Sequence, residues 1–464
     1  MFPPDHANFR RKILFLSGIK LTLNMDQSKL VKIGFGTAIS LVIANMIGTG
    51  VFTSLGFQVM SIQSPFAILM LWVTGGVLAL CGALTYGEIG SAFPESGGEY
   101  NYLSKLYHPS IGFLSGWVSV TVGFAAPVAA AGMALGMYIN KIYSVDPKLL
   151  AITVILIFTV VHAITLKLGS ALQRAFTLVK IVIIVMFMGF GMFYTPEHTI
   201  RIVADSNAWK DIFSMSFAGS LIYVTYAYSG WNAASYIAGE IENANKNLPR
   251  ALFWGTLIVL IIYTALNFVF LRSVPIEELK GVVEVGYLSA NKIFGMELGK
   301  FMGLVIALLL ISTISAMILA GPRVMQSMGK DIKQLRWFAI SNQNNVPYMA
   351  VIFQSVISVI LVLNSSFESL ITYVGFTLNL FTFLTVLGVF ILRYKRTDVK
   401  SSFKTPLFPL PPLLFLVIIG WILYSIVVDK PFESLMGLGT VLLGLLVYFL
   451  TQHFGRNKFQ NSPD

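Results

Sequence analysis

The chain has 464 residues, of which 56% are hydrophobic and 11% charged, with a mean hydropathy of +0.77. A soluble fold has too little interior for that much apolar surface, so the composition points to an integral membrane protein. The formal charge of +11 collects in loops, which argues against a nucleic-acid footprint, and the single cysteine, Cys81, excludes an intrachain disulfide.

Residues 1–32 are expected to be a cytoplasmic segment. Arg10, Arg11 and Lys12 precede a short apolar patch, Ile13 to Ile19, which resembles a weak signal sequence but lacks a clean small-residue cleavage site. Twelve apolar runs follow, each long enough to cross a hydrocarbon core of about 30 Å as a helix. They lack the alternation of barrel strands. Helices are expected over 33–57, 67–91, 110–140, 149–166, 170–194, 212–237, 250–271, 300–326, 347–363, 369–393, 409–428 and 435–452. Pro65, Pro109, Pro249 and Pro347 sit at or near helix starts, whereas Pro127 falls inside the third helix and predicts a kink.

With the N-terminus placed inside, the inner loops carry more than twice as many Lys and Arg as the outer ones. That bias predicts twelve spans with both termini cytoplasmic, in a cell membrane. The longest outer connection, Leu271 to Lys300, is polar and nearly balanced in charge. It predicts either short amphipathic helices lying over the extracellular mouth or a solvated linker. A polar cytoplasmic tail is expected over 453–464.

Two runs interrupt themselves with glycine. The first helix carries Gly48-Thr49-Gly50, and the sixth carries Tyr228-Ser229-Gly230. Matched breaks in corresponding helices of two five-helix blocks point to an inverted-repeat secondary transporter. Close helix packing by small residues is the plainer alternative. An opened helix leaves N–H and C=O groups that lipid cannot satisfy, so a break must face protein, water or ligand. A small zwitterion suits both ends: N–H groups near Thr49 to Phe52 for a carboxylate, carbonyls around Ala227 to Ser229 for an ammonium.

Lys180 is the only basic residue expected well inside the membrane, where an ionisable group is costly and marks function by default. A register shift of one turn would instead let it snorkel. His162 stands alone in the fourth helix and is expected to be a core residue. The sequence lacks H-E-x-x-H, C-x-x-C, G-x-S-x-G and G-K-[ST] elements, so no enzyme, cofactor or metal site is expected. A channel is the other class left open, but it would call for a repeated or charged lining.

Four stretches resemble the amino acid–polyamine–organocation superfamily, within it the L-type-like amino acid permeases: "ANMIGTGVF" at 44–52, "YGEIGSAFPESGGEYNYL" at 86–103, "VKI" around Lys180, and "YAYSGWNAASYIAGEIENANKNLPRAL" at 226–252. The resemblance implies a LeuT-type all-α membrane fold of twelve helices, with 33–194 and 212–393 as inverted repeats, 409–452 as peripheral helices, and helices one and six unwound at mid-membrane. It implies that Gly48, Thr49 and Gly50 hold a substrate carboxylate and that Tyr226, Ala227 and Ser229 receive the amine. Tyr226, where relatives usually have Phe, would be the gating aromatic. Lys180 would stand in for a sodium ion and bridge helices one and eight, with Ser312 and Thr313 as partners. Glu88, Glu95, Glu99, Glu240, Glu242 and Arg250 would supply a cytoplasmic gate, Glu88 foremost. The implied activity is sodium-independent transport of small neutral L-amino acids, by exchange or proton symport, with polyamines or cationic amino acids as the alternative substrates. Heteromeric relatives attach to a glycoprotein through an external cysteine. Cys81 lies inside an apolar run, so no such disulfide partner is expected.

Overall fold

The computed structural model describes residues 32–164, 167–196, 200, 202–396, 398–399 and 401–456, with side chains left out over 167–178 and 454–456. The expectations for the N-terminal segment up to residue 31 and for the tail from 457 therefore lie outside the described residues. From Ile33 onward the chain is a single unit built of helices. In chain order these are α1 (Phe35–Met46), α2 (Gly50–Thr53), α3 (Leu55–Ser61), α4 (Pro65–Ala92), α5 (Glu99–Leu106), α6 (Pro109–Val118), α7 (Ala125–Tyr143), α8 (Pro147–Ile164), α9 (Lys167–Phe193), α10 (Ser206–Ile212) and α11 (Met215–Tyr228). They continue with α12 (Ala244–Ser273), α13 (Ile276–Leu279), α14 (Val285–Phe294), α15 (Met296–Asp331), α16 (Tyr348–Asn364), α17 (Phe367–Tyr394), α18 (Leu410–Asp429) and α19 (Pro431–Arg456). Among the described residues, nine helical segments are long and apolar enough to cross a membrane.

The starts follow ordinary capping chemistry. Ser64, Asp205, Ser214 and Ser366 each accept a backbone N–H three residues on, which satisfies one of the donors a helix start leaves without an internal acceptor. Pro65 and Pro109 occupy first positions, where a missing N–H costs nothing. Pro249 differs from expectation, because α12 begins earlier, at Ala244, and encloses it.

The core joins α4 to α12 and α7 to α15. Small residues permit this: a Cβ on Gly136 would lie 2.2 Å from the Pro147 carbonyl oxygen. The third expected span is modified ahead of Pro127 by a π-helical turn, Ser119–Phe124, between α6 and α7. A proline withdraws the donor for the fourth preceding carbonyl, and a wider turn upstream re-registers the helix. The Ser358 hydroxyl, from α16, also donates to the Ala125 carbonyl at 2.8 Å.

Connection 271–300 contains α13 and α14. It docks on α3, with Gly281 N–H donating to the Gly56 carbonyl at 2.9 Å. Gly56 permits the approach, since a Cβ there would fall 2.0 Å from the Val282 carbonyl oxygen.

Candidate functional site

Helix α1 stops at Met46 and α2 begins at Gly50, so Ile47, Gly48 and Thr49 are not helical. Ser54 stays in the right-handed helical region, which lets α2 run on into α3. Two carbonyls freed by the break have found other donors. The Tyr263 hydroxyl donates to the Met46 carbonyl at 2.5 Å, and Lys180 Nζ donates to the Ile47 carbonyl at 2.9 Å. In an unbroken helix Gly50 and Val51 would donate to those carbonyls; the interruption leaves both N–H groups without a helical acceptor.

The second interruption follows α11. Ser229 leaves the helical region with ψ of 147°, and Gly230 takes a φ of 95°, a left-handed value that favours glycine. Asn45 fixes this choice from the other side, because a Cβ on Gly230 would lie 2.9 Å from its carbonyl oxygen. Beyond the break the chain winds as a 3-10 helix, Ala233–Glu240. An α-helical continuation to 237 is expected from the sequence; the chain instead winds as 3-10 with Ile237 off helical angles, and its end pairs through an isolated bridge, Ile33 N–H donating to the Glu240 carbonyl at 2.8 Å and Glu242 N–H to the Ile33 carbonyl at 2.9 Å.

The two breaks meet. A Cβ on Gly50 would fall 2.4 Å from the Ala227 Cα, so only glycine permits this approach. The Thr49 and Tyr226 hydroxyls share a hydrogen bond of 2.9 Å. Thr49, Gly50, Tyr226 and Ala227 are buried, whereas Gly48 and Ser229 keep partial exposure. An aromatic cluster braces the site, with Tyr228 and Tyr263 ring centroids 5.0 Å apart and the Tyr228 hydroxyl donating to the Trp72 carbonyl at 3.0 Å.

Lys180 is 5% exposed and also donates to Thr313 Oγ1 at 3.3 Å. It therefore ties the first break to α15. Ser312 does not share that contact; its buried hydroxyl has no hydrogen-bond partner among the described residues. His162 is buried, with Nε2 2.8 Å from the Ser315 hydroxyl.

Glu88 lies away from the breaks. Its carboxylate accepts Arg393 Nε and Nη2 at 2.7 and 2.8 Å and the Thr405 N–H at 2.7 Å. Among the described residues Glu240, Glu242 and Arg250 form no ion pair, and Glu95 pairs with Lys105. Glu99 is 4% exposed and accepts from the Tyr86 hydroxyl at 2.6 Å and from Asn232 Nδ2 at 2.9 Å. Burial pushes its carboxyl up to about 7, although both hydrogen bonds pull the other way. Sequence reasoning missed Tyr263, Arg393 and Asn45. Arg393 alone carried a signal, as the first cation beyond a long apolar run.

A family model described as "Amino acid permease" matches residues 33–436. The serine/threonine exchanger SteT of Bacillus subtilis (strain 168) is 30% identical over 426 residues, covering 90% of this chain and 96% of the exchanger. The b(0,+)-type amino acid transporter 1 of Mus musculus is 28% identical over 435 residues, covering 91% and 88%. The large neutral amino acids transporter small subunit 2 of the same species is 25% identical over 430 residues, covering 90% and 80%. The chain thus defines itself as a multi-pass membrane protein of amino acid transport, not an enzyme. It belongs to the amino acid permease family.

Proposed function

We propose that the protein is a secondary active transporter that moves small neutral L-amino acids by alternating access, without sodium, through exchange or proton symport. The observation that carries this is the meeting of two helix interruptions, with Gly50 against Ala227 and Thr49 bonded to Tyr226. In this reading the N–H groups of Gly48, Thr49 and Gly50 bind the substrate carboxylate, and carbonyls near Tyr226, Ala227 and Ser229 accept from its ammonium. Tyr226 gates the site, because its contact with Thr49 has to part before a substrate can seat between the breaks. Lys180 supplies fixed positive charge beside the Ile47 carbonyl, where a bound cation would otherwise serve, which supports sodium independence. Thr313 carries that tie to α15, and the neighbouring Ser312, whose buried hydroxyl is not bonded to Lys180, is kept in the coupling group only as a reserve donor. Glu88, through its pair with Arg393, serves as a cytoplasmic gate in this reading.

The fold in this proposal has twelve spans in two inverted five-helix repeats, 33–194 and 212–393, with 409–452 peripheral and both termini in the cytoplasm. The paired interruptions, five spans apart, support it. The apolar, small-residue wall of α7 supports neutral substrates. SteT, as an exchanger of serine and threonine, supports exchange. Cys81 is buried within α4, which supports a carrier without a disulfide-linked subunit.

The test is uptake of radiolabelled amino acids into proteoliposomes, with competition by neutral amino acids, arginine and putrescine. Saturable uptake stimulated by substrate on the far side, and blocked best by neutral amino acids, is the expected result. Failure of a broad amino acid panel to move would overturn the proposal. Non-saturating flux without trans-stimulation would indicate a channel.

A further inference from the structure

The turn Ser96–Glu99 grips the segment that follows the second helix interruption. Gly97 N–H donates to the Tyr236 carbonyl at 3.0 Å, and Gly239 N–H donates to Ser96 Oγ at 3.2 Å. Gly97 and Gly98, with φ of 121° and 52°, give the turn its shape. Glu99 completes the grip through Asn232, which lies inside the interruption.

The surroundings of Glu99 are aromatic and neutral. Tyr86 faces it from α4, Tyr102 from its own helix, and Tyr236 from the 3-10 helix. Charged groups on its own helix and on α15 and α17 are engaged elsewhere: Arg393 of α17 with Glu88, Asp331 of α15 with the Tyr100 hydroxyl at 3.1 Å, and Lys105 with Glu95. No cation among the described residues pairs with Glu99. Both of its hydrogen bonds arrive at Oε1, leaving Oε2 to carry a proton. Tyr102 is wholly buried, with its ring centroid 6.1 Å from that of Tyr86.

We propose that Glu99 is a proton-binding site: the closed packing of the Ser96–Glu99 turn on the segment beyond the second interruption buries this carboxyl without a cation and so favours its protonated form, whereas ionisation favours an arrangement in which water reaches it. A lone carboxylate in a dry aromatic pocket is strongly disfavoured unless water or a cation reaches it. Opening lets water in, so the ionised form favours the open arrangement and the neutral form the closed one. The burial that raises this carboxyl to about 7 sets the exchange of states near neutral pH. The inference rests on the transporter reading only for its effect on transport; proton binding itself stands apart.

The experiment measures exchange of labelled serine in proteoliposomes, at equal pH on both sides, from about pH 5 to about 9. Exchange by the natural protein is expected to rise with a midpoint near pH 7. Glu99→Gln, which mimics the neutral acid, should stay at the acid-side rate throughout. Tyr86→Phe removes a donor that favours the ionised form, so the midpoint should move up by about half to one pH unit. A Glu99→Gln protein that keeps the natural pH curve overturns the proposal. If that variant is inactive, Tyr86→Phe decides: an unmoved midpoint overturns, an upward shift supports. Infrared difference spectra give an independent reading. A neutral carboxylic acid band that fades through pH 7 and is missing in Glu99→Gln supports the site even if no amino acid moves. Transport without that band rejects the site and leaves the transporter reading intact.

Discussion

Arg393 grips Glu88 with two parallel hydrogen bonds of 2.7 and 2.8 Å, joining α17 to α4 across 305 positions of sequence. The carboxylate is nearly enclosed, its side chain 3% exposed, and the guanidinium sits 3.7 Å over the Phe408 ring. Removing one partner of such a pair strands the other charge, at a cost of about 3–5 kcal/mol. Arg393→Met should therefore lower the melting temperature in detergent sharply, and the double variant Glu88→Gln/Arg393→Met should recover part of the loss. An unchanged melting curve for Arg393→Met would show that the pair is not structural.

Lys180 connects the first interruption to α15 through Ile47 and Thr313. Lys180→Met deletes a buried donor and leaves the Ile47 carbonyl unsatisfied, worth about 1–3 kcal/mol. If that tie organises the substrate-bound state, uptake should fall at least about tenfold, while folded protein is still recovered by size-exclusion chromatography. Uptake equal to the natural protein at every pH would remove Lys180 from the coupling group.

Span positions were legible because apolar length and flanking prolines are local properties: α4, expected over 67–91, runs Pro65–Ala92. Gly48, Gly50 and Gly230 stand where described helices stop or start, since a Gly-Thr-Gly triplet or a Ser-Gly pair departs from an otherwise uniform apolar run. What closes the interruptions was hidden. Tyr263 reaches Met46 across 217 positions, and no pattern in one sequence links an aromatic in α12 to a carbonyl in α1. The end of the 3-10 segment Ala233–Glu240 pairs through an isolated bridge with Ile33, again a distant partner. Glu99 stood inside a legible motif, yet a glutamate in a polar loop reads as solvated until burial is seen.

Tyr226 places a hydroxyl beside Thr49 at the meeting of the two interruptions. Tyr226→Phe keeps the ring and removes one hydrogen bond, worth about 0.5–1.5 kcal/mol. The expected outcome is a change of up to about tenfold in apparent affinity, larger for hydroxyl-bearing amino acids than for alanine in competition assays. Equal shifts for every substrate would assign the hydroxyl to closing the site rather than to reading the side chain.

Glu99 also predicts a pH dependence of stability. Its folded-state value of about 7 lies above the ordinary 4.5. Below pH 4.5 it is neutral folded or unfolded, and its stabilising share is fully present. As pH rises to about 7 the unfolded chain releases the proton first, and that share is lost. Melting curves across this window should show a downward slope that Glu99→Gln flattens. An identical slope in the variant would place the dependence in another group.

Gly50 and Gly230 differ in what they would suffer from a side chain, and that difference makes them separable. At Gly50 the obstacle is the Ala227 backbone, 2.4 Å from an added Cβ, with ordinary helical angles at the site. Gly50→Ala should force the interruptions apart, cost about 1–3 kcal/mol as overpacking, and abolish uptake. Ala227→Gly removes one of the atoms in the way but not the Cα, so it should not rescue transport. At Gly230 the obstacle is the Asn45 carbonyl at 2.9 Å together with a φ of 95°, so strain of the backbone itself is added. Gly230→Ala should therefore lose both folded yield and transport. If Gly50→Ala transports normally, the close crossing of the two interruptions is not required for the transport cycle.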